Sequence, residues 1–451
     1  MTKSPTKADI TSCPKSATHG LVAASGLLGL LVGIYLLRLF QPFENIALSA
    51  LTVMGCSALG VFVPDLLWQK VHRRSLLAKP QTVDLTRVMI KFSGLLGSLG
   101  FIAFLYWLLP EYSRSHPFYQ NYWEMIRLVL PMWLIIAIPY IHWVDRRMSD
   151  PYDSLWQVGC LISLRWQNLH WPMIGQHLLG WIVKGYFLPL MFVDMCGKLA
   201  TVLAYNFEQS HNFQQLFDFS FHTIFFIDVS LVSMTYLMAL RLTDTHIRSS
   251  EPSLFGWAIT LICYPPFQYI NFETGKSWTD WISSETWLYP TWGILILLLL
   301  AIYLWATISF GGRFSNLTHR GIITNGPYRY TKHPAYITKN LSWWLISMPF
   351  MVSTSIEDAF SHSILLLMVN GIYYFRAKTE ERHLSLDPVY VEYAKWIDEH
   401  GLLRFLNKVP FIRKLANWRP KFGRQPLSWI WPTAPLMEKV LTKKANRKHT
   451  G

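Results

Sequence analysis

The chain has 451 residues, 51% of them hydrophobic and only 15% charged, with 21 tryptophans and a positive mean hydropathy. Length alone would suggest two or three soluble domains, but several nearly uncharged runs reach bilayer length, about 20 residues for a helix. The composition therefore excludes a soluble protein and indicates an all-α, polytopic integral membrane protein.

The formal charge of +14 is not evenly spread. It sits in alternate connectors and in the tail from Arg376 onward, the usual placement beside an anionic membrane face, so no nucleic-acid partner is inferred and membrane lipids are. The five cysteines, Cys13, Cys56, Cys160, Cys196 and Cys263, have neither pairing nor metal-ligand spacing, so no disulfide framework and no metal site are expected. No cleavable leader is read, because the first 20 residues are polar and the apolar run after them lacks a clear small-residue cleavage site.

Ten membrane segments are expected, near residues 21–40, 45–67, 90–110, 124–143, 173–204, 219–241, 254–270, 286–310, 336–352 and 360–377. Gly29 and Gly33 in the first, and Gly94 and Gly97 in the third, lie inside apolar runs with no strand before them and no lysine after. They read as close helix packing rather than as a nucleotide loop. The fifth segment holds Lys184, Pro189 and Asp194 and is too long for one perpendicular span, so a kink or a partly re-entrant path is expected. Asp194 has Lys198 one turn away as a partner. Asp228, in the otherwise apolar sixth segment, should face the bundle interior or a cavity. Asp244 and Arg248 just after it read as an ordinary helical ion pair. The seventh segment is broken by Tyr264-Pro265-Pro266, where a helix cannot keep its hydrogen-bond ladder.

The connectors after segments 2, 4, 6 and 8 carry Lys70, Arg73, Arg74, Lys79 and Arg87, then Arg146, Arg147 and Arg165, then Arg241 and Arg248, then Arg313, Arg320, Arg329 and Lys332. Those after the odd-numbered segments carry only Arg114 and Lys276. Both termini are therefore expected in the cytoplasm, and in a bacterium the membrane would be the inner one.

Two cytoplasmic pieces stand out, one on each side of the last helical hairpin. The first is Gly326-Pro-Tyr-Arg-Tyr-Thr-Lys-His-Pro-Ala-Tyr336; the second is Arg376-Ala-Lys-Thr-Glu-Glu-Arg-His-Leu384, followed by Tyr390 and Tyr393. Taken alone, the first is a basic turn with Pro334 near a helix start. The second, taken alone, is a snorkelling arginine four residues from an interfacial glutamate, with His383 one turn further on. The hairpin returns both pieces to the same membrane face, where they should be neighbours.

Their conjunction resembles the isoprenylcysteine carboxyl methyltransferases and their bacterial relatives, whose pattern is G-x-Y, then R-H-P-x-Y, a hairpin, and R-x-x-x-E-E-x-x-L with a Tyr-rich stretch. The resemblance covers residues 286 to 400. It implies an S-adenosylmethionine site in which Tyr328 and the Lys332-His333-Pro334-Ala335-Tyr336 run line the pocket, with backbone contacts from Ile322 and Ile323. It further implies that Glu380 contacts the cofactor, that Arg376 faces a lipid-like or isoprenoid acceptor, and that Glu381 is the second acid of a catalytic set. A carboxylate acceptor would need no general base, only a cation to hold it.

The chain departs from that pattern at Lys332, where the family has arginine, and at Arg320, where many members have histidine (His319 is one place off). It departs again at Asn340, where a small glycine is common, and at Asp387-Pro388, which replaces a Phe-Gly. These changes bear on acceptor and pocket shape more than on the cofactor. The expected division is a multi-span region of unknown role at 1–285, the methyltransferase-like core at 286–400 and a basic tail at 401–451. Membrane sterol reductases resemble the same core and hold NADPH, but their pattern puts Asn-Tyr after Arg-His, and the Glu380-Glu381 pair suits a sulfonium better. A non-enzymatic transporter or scaffold is the third reading; no internal repeat supports it. Oligomeric state is left open.

Overall fold

The computed structural model describes residues 12–405 apart from 41–42, 83, 168, 210–211, 268–276 and 353–354, together with residue 410. The expected basic tail at 401–451 lies almost wholly outside the described residues. The helices are α1 (Gly20–Phe40), α2 (Ile46–Leu67), α3 (His72–Ser75), α4 (Leu85–Leu108), α5 (Gln120–Asp145), α6 (Ser154–Ile162), α7 (Trp171–Ala204) and α8 (Phe213–Leu237). They continue with α9 (Leu254–Leu261), α10 (Leu288–Ile308), α11 (Pro334–Ser347), α12 (Pro349–Val352), α13 (Ile356–Leu384) and α14 (Pro388–His400). Two-residue strands β1 (Ser249–Ser250) and β2 (Thr318–His319) pair antiparallel, Ser249 opposite His319. The protein is an all-α polytopic membrane protein.

Seven described helices, α1, α2, α4, α5, α7, α8 and α10, are long and apolar enough to cross a membrane. The other three expected spans take different forms. The seventh contains only the eight-residue α9 before the Tyr264-Pro265-Pro266 break. The ninth is the 14-residue α11, about 21 Å long at 1.5 Å per residue. The tenth is the 29-residue α13, whose last turns carry five charged residues between Arg376 and Arg382. Of these, α11 runs back along α10. The Leu345 carbonyl near the end of α11 accepts from the Trp292 indole near the start of α10 at 3.0 Å. Glu251 bonds to Leu317 at one end, while Trp278 packs against Phe217 and Tyr289 at the starts of α8 and α10.

The fifth segment is one continuous helix of 34 residues with Pro189 inside it. About 51 Å of helix exceeds a bilayer core of about 30 Å, so it extends beyond the apolar layer rather than breaking. Gly29 and Gly33 lie against the backbone of Cys56 and Val53, and a side chain at Gly29 would overlap the Cys56 carbonyl. Gly94 does the same against Leu155 and Gly159 of α6, a short helix not anticipated from the sequence. Both glycine pairs therefore serve helix packing.

Polar links hold the end of the bundle near β1 and β2. The Asp65 carboxylate of α2 and the Arg313 guanidinium after α10 meet at 3.1 Å with both side chains fully buried. Asp145 at the end of α5 takes Arg87 at 2.7 Å and Lys91 at 2.9 Å from α4. Farther along α7, away from that end, Asp194 and Lys198 pair at 3.1 Å. Asp244 and Arg248 also pair, at 3.3 Å, but not on a helix: α8 ends at Leu237 and Asp244 has a φ of 53° in the turns that follow.

Candidate active site

The site begins with the chain leaving α10. Ser309 continues the helix direction, and Gly326 then adopts a φ of +57°, where an added side chain would collide with Ser309. This turn starts the Gly326–Arg329 3-10 helix, and Pro334 opens α11 at its first turn, where a missing N–H is tolerated. From the other side, α13 brings Arg376, Glu380 and His383 back on one face. The chain then turns through Asp387, which caps α14 by accepting from the Val389 N–H at 2.9 Å. The Asp-Pro that departs from the family pattern is thus a helix start. Tyr390, Tyr393, Trp396 and Ile397 recur at helical spacing and seal α14 against Ile322 and Tyr328.

These pieces close on one cavity of about 180 Å³. Of the residues expected from the sequence, Ile322, Ile323, Tyr328, Lys332, His333, Ala335, Tyr336, Arg376 and Glu380 line it. Pro334 and Glu381 do not. Pro334 is buried at the start of α11. Glu381, 3% exposed, sits behind the wall, accepting from His333 Nε2 at 3.1 Å and from Lys378 at 3.2 Å. Burial works against its charge, but the hydrogen bond from His333 and the nearby Lys378 and Lys332 cations outweigh burial and hold its carboxyl well below the usual range.

Glu380 is different: its side chain is 36% exposed and accepts a hydrogen bond from the Tyr336 hydroxyl. His333 and Tyr336 stack with centroids 5.6 Å apart and planes 2° apart. Lys332 turns outward to Asp398 at 2.8 Å. Tyr393 donates to the Tyr328 carbonyl at 2.6 Å. Arg376 does not snorkel. It is 3% exposed, its guanidinium lies 5.2–5.8 Å from the rings of Tyr373, Tyr336 and Tyr264, and it donates to Asn316 Oδ1 at 3.3 Å.

Sequence reasoning missed part of the wall. Tyr264, noticed as a helix break, supplies a ring to Arg376, and its hydroxyl accepts from Asn316 Nδ2 at 3.3 Å. Tyr303 and Thr307 of α10 line the cavity while donating to Asp228 at 2.6 Å each. Asp228 both bonds a neighbouring helix and supports the cavity wall; its place in an apolar run was the signal. Arg320 and His319 also line the cavity. His319 Nε2 donates to Asp387 at 3.0 Å, while burial above all, and then its neighbours His383 and Arg248, push its imidazole down to about 3.

A strap also reaches the site from before α1. Ala17 N–H donates to the Ile322 carbonyl at 2.8 Å, Thr324 N–H to Ser16 Oγ at 3.1 Å, and the Thr324 hydroxyl to the Pro14 carbonyl at 2.7 Å. It fixes the backbone of the loop that carries Ile322 and Ile323. No sequence signal marked it.

No curated protein and no solved structure matches the chain. Residues 292–386, which run from α10 to just beyond α13 and contain both motif pieces, match the isoprenylcysteine carboxyl methyltransferase (ICMT) family. The chain is therefore similar to that family over this one segment, about a fifth of its length, within a membrane-spanning bundle.

Proposed function

We propose that this protein transfers a methyl group from S-adenosylmethionine to an anionic oxygen, such as a carboxylate, on a lipid-like acceptor held within the membrane. The observation that carries the reading is the single cavity on which both motif pieces converge, with Arg376 and Glu380 one helical turn apart on its wall. S-adenosylmethionine supplies a sulfonium-bound methyl that an oxygen lone pair displaces in line, the electrons of the broken S–C bond staying on sulfur and no proton moving.

The residues present suit that group. Glu380 keeps a partly exposed carboxylate, oriented by Tyr336, to accept from an ammonium and offset a sulfonium charge. The parallel faces of His333 and Tyr336, together with Tyr328, suit a purine. The Ile322 and Ile323 backbone, Lys332 and Ala335 complete the rim, and Pro334 sets the start of α11 beneath it. Glu381 acts through His333 rather than on a reactant. Arg376, in a wall of tyrosines, holds the acceptor's anion away from bulk water, where a charge-assisted bond is strongest.

In this reading residues 286–400 are the catalytic core, 1–285 a membrane region that encloses it and 401–451 a basic tail. The Lys and Arg bias of the connectors supports a cytoplasmic mouth for the cavity and cytoplasmic termini. Calorimetric titration of S-adenosylmethionine into the purified full-length protein tests the proposal. Saturable binding that weakens in Glu380→Gln is expected. No binding, with NADPH bound instead, would overturn it in favour of a reductase.

A further inference from the structure

The charges lining the cavity do not balance. Arg313 is neutralised by Asp65 at 3.1 Å, Lys332 by Asp398 at 2.8 Å, and Glu251 by Arg382 at 2.7 Å. Lys339 rests on the rings of Tyr303, Trp343 and Phe225 at 5.2–5.8 Å. Glu380, partly exposed, accepts from the Tyr336 hydroxyl and in the reading above offsets the donor's own positive charge. Two arginines remain. Arg320 is 2% exposed, donates through Nη1 to the Thr235 carbonyl at 2.7 Å, and has no hydrogen-bond partner for Nε or Nη2. Arg376, 3% exposed, leaves Nε unbonded. Among the described residues, neither meets a carboxylate.

The two are tied to one polar patch. Asn316 accepts from Arg376 on Oδ1, donates through Nδ2 to Tyr264 at 3.3 Å, and donates through its backbone N–H to Tyr236 Oη at 2.9 Å. Arg320 lies over that same Tyr236 ring, 5.6 Å from its centroid. Arg320 and Arg376 are both lining residues of the same cavity as Asn316 and Tyr264.

A buried guanidinium without a counter-charge is costly, and unmade N–H donors add to the cost. One arginine suffices for a monoanion held bidentately. Two uncompensated arginines beside one patch call for more negative charge than that. We infer that Arg320 and Arg376 together form a subsite for a dianionic head group on the acceptor, such as a phosphate monoester or a dicarboxylate, and that Arg320 sets this selectivity. The inference rests on the transferase reading only in calling the ligand an acceptor.

The test titrates octyl phosphate, octyl methyl phosphate, octanoate and octylmalonate into the full-length protein in nanodiscs, with empty nanodiscs subtracted. Each dianion should bind about tenfold or more tighter than the monoanion of the same chain. Arg320→Gln should reduce that ratio to about twofold or less, weakening the dianions far more than the monoanions, and Arg320→Lys should restore part of it. A preference for octyl phosphate alone, or for octylmalonate alone, identifies the head group and supports the subsite. Equal binding of mono- and dianions, or a preference that survives Arg320→Gln, overturns it. If Arg320→Gln does not fold, the wild-type comparison of octyl phosphate with its methyl diester decides alone. Dianion selectivity without S-adenosylmethionine binding would support the subsite and overturn the transferase reading.

Discussion

Glu380 and Glu381 are adjacent acids with opposite surroundings, so neutralising each should do different things. Glu381→Gln removes the charge that faces His333 at 3.1 Å and Lys378 at 3.2 Å behind the cavity wall. Stripping one partner from a buried pair costs about 3–5 kcal/mol, and a glutamine that keeps one acceptor reduces this to roughly 2–4 kcal/mol. In thermal unfolding of a chain this long, at about 1 °C per kcal/mol, that is a midpoint lower by about 2–4 °C. The sign with pH follows from the depressed carboxyl: folded Glu381 resists protonation, whereas an ordinary glutamate titrates near 4.5. Its contribution is complete above about pH 4.5 and is lost as pH falls below it, because the unfolded chain then binds the extra proton. The wild type should therefore lose stability on acidification more steeply than Glu381→Gln. Glu380→Gln, at a side chain 36% exposed, should move the midpoint little. It should instead weaken S-adenosylmethionine by on the order of ten- to a hundredfold, the worth of one charge-assisted contact. Unfolding curves in nanodiscs and calorimetry on both variants read the two effects. Glu381→Gln keeping its midpoint but losing donor binding, with Glu380→Gln doing the reverse, would refute these assignments.

Thr324→Val removes the hydroxyl bond to Pro14 and loosens the strap, so donor affinity should fall by roughly three- to tenfold in calorimetry with the unfolding midpoint nearly kept. Asp228→Leu leaves the Tyr303 and Thr307 hydroxyls without an acceptor, and should cost about 2–4 kcal/mol, read as a lower midpoint. Gly29→Leu forces a side chain into the Cys56 backbone and should abolish monodisperse protein in size exclusion, whereas substitution at Gly100, which faces open space, should not. His319, held neutral down to about 3 against an ordinary 6.5, favours the folded state fully above pH 6.5 and progressively less as pH falls toward 3. His319→Gln should flatten that part of the acid unfolding profile.

The hairpin geometry was legible because helical spacing and a two-way crossing dictate it: Arg376 and Glu380 had to share a face, and the Gly326–Tyr336 turn had to lie opposite. The glycine pairs were legible as packing for the same local reason. What the sequence hid is tertiary. Arg87, Arg313 and Arg320 look like connector cations in an orientation count, yet each is buried and two of them meet a carboxylate distant in sequence. The Asp244–Arg248 pair follows helical spacing but lies in turns, because Thr245 and its neighbours replace helical bonds after Leu237. The strap from Pro14 to Ala17 works through backbone groups, which leave no side-chain signature. Arg320 was visible as a connector cation and as a departure from a pattern; its significance needed the unmade bonds around it.

The most direct test of the central claim is methyl transfer itself. Membranes containing the protein are incubated with S-adenosylmethionine labelled on its methyl, and label is followed into extracted lipid-like material. Label that appears with the wild type and disappears with Arg376→Ala and with Glu380→Gln, both still folded, is the predicted result. Labelling that persists in both variants, or that is absent from the wild type across the acceptors supplied by its native membrane, would contradict it.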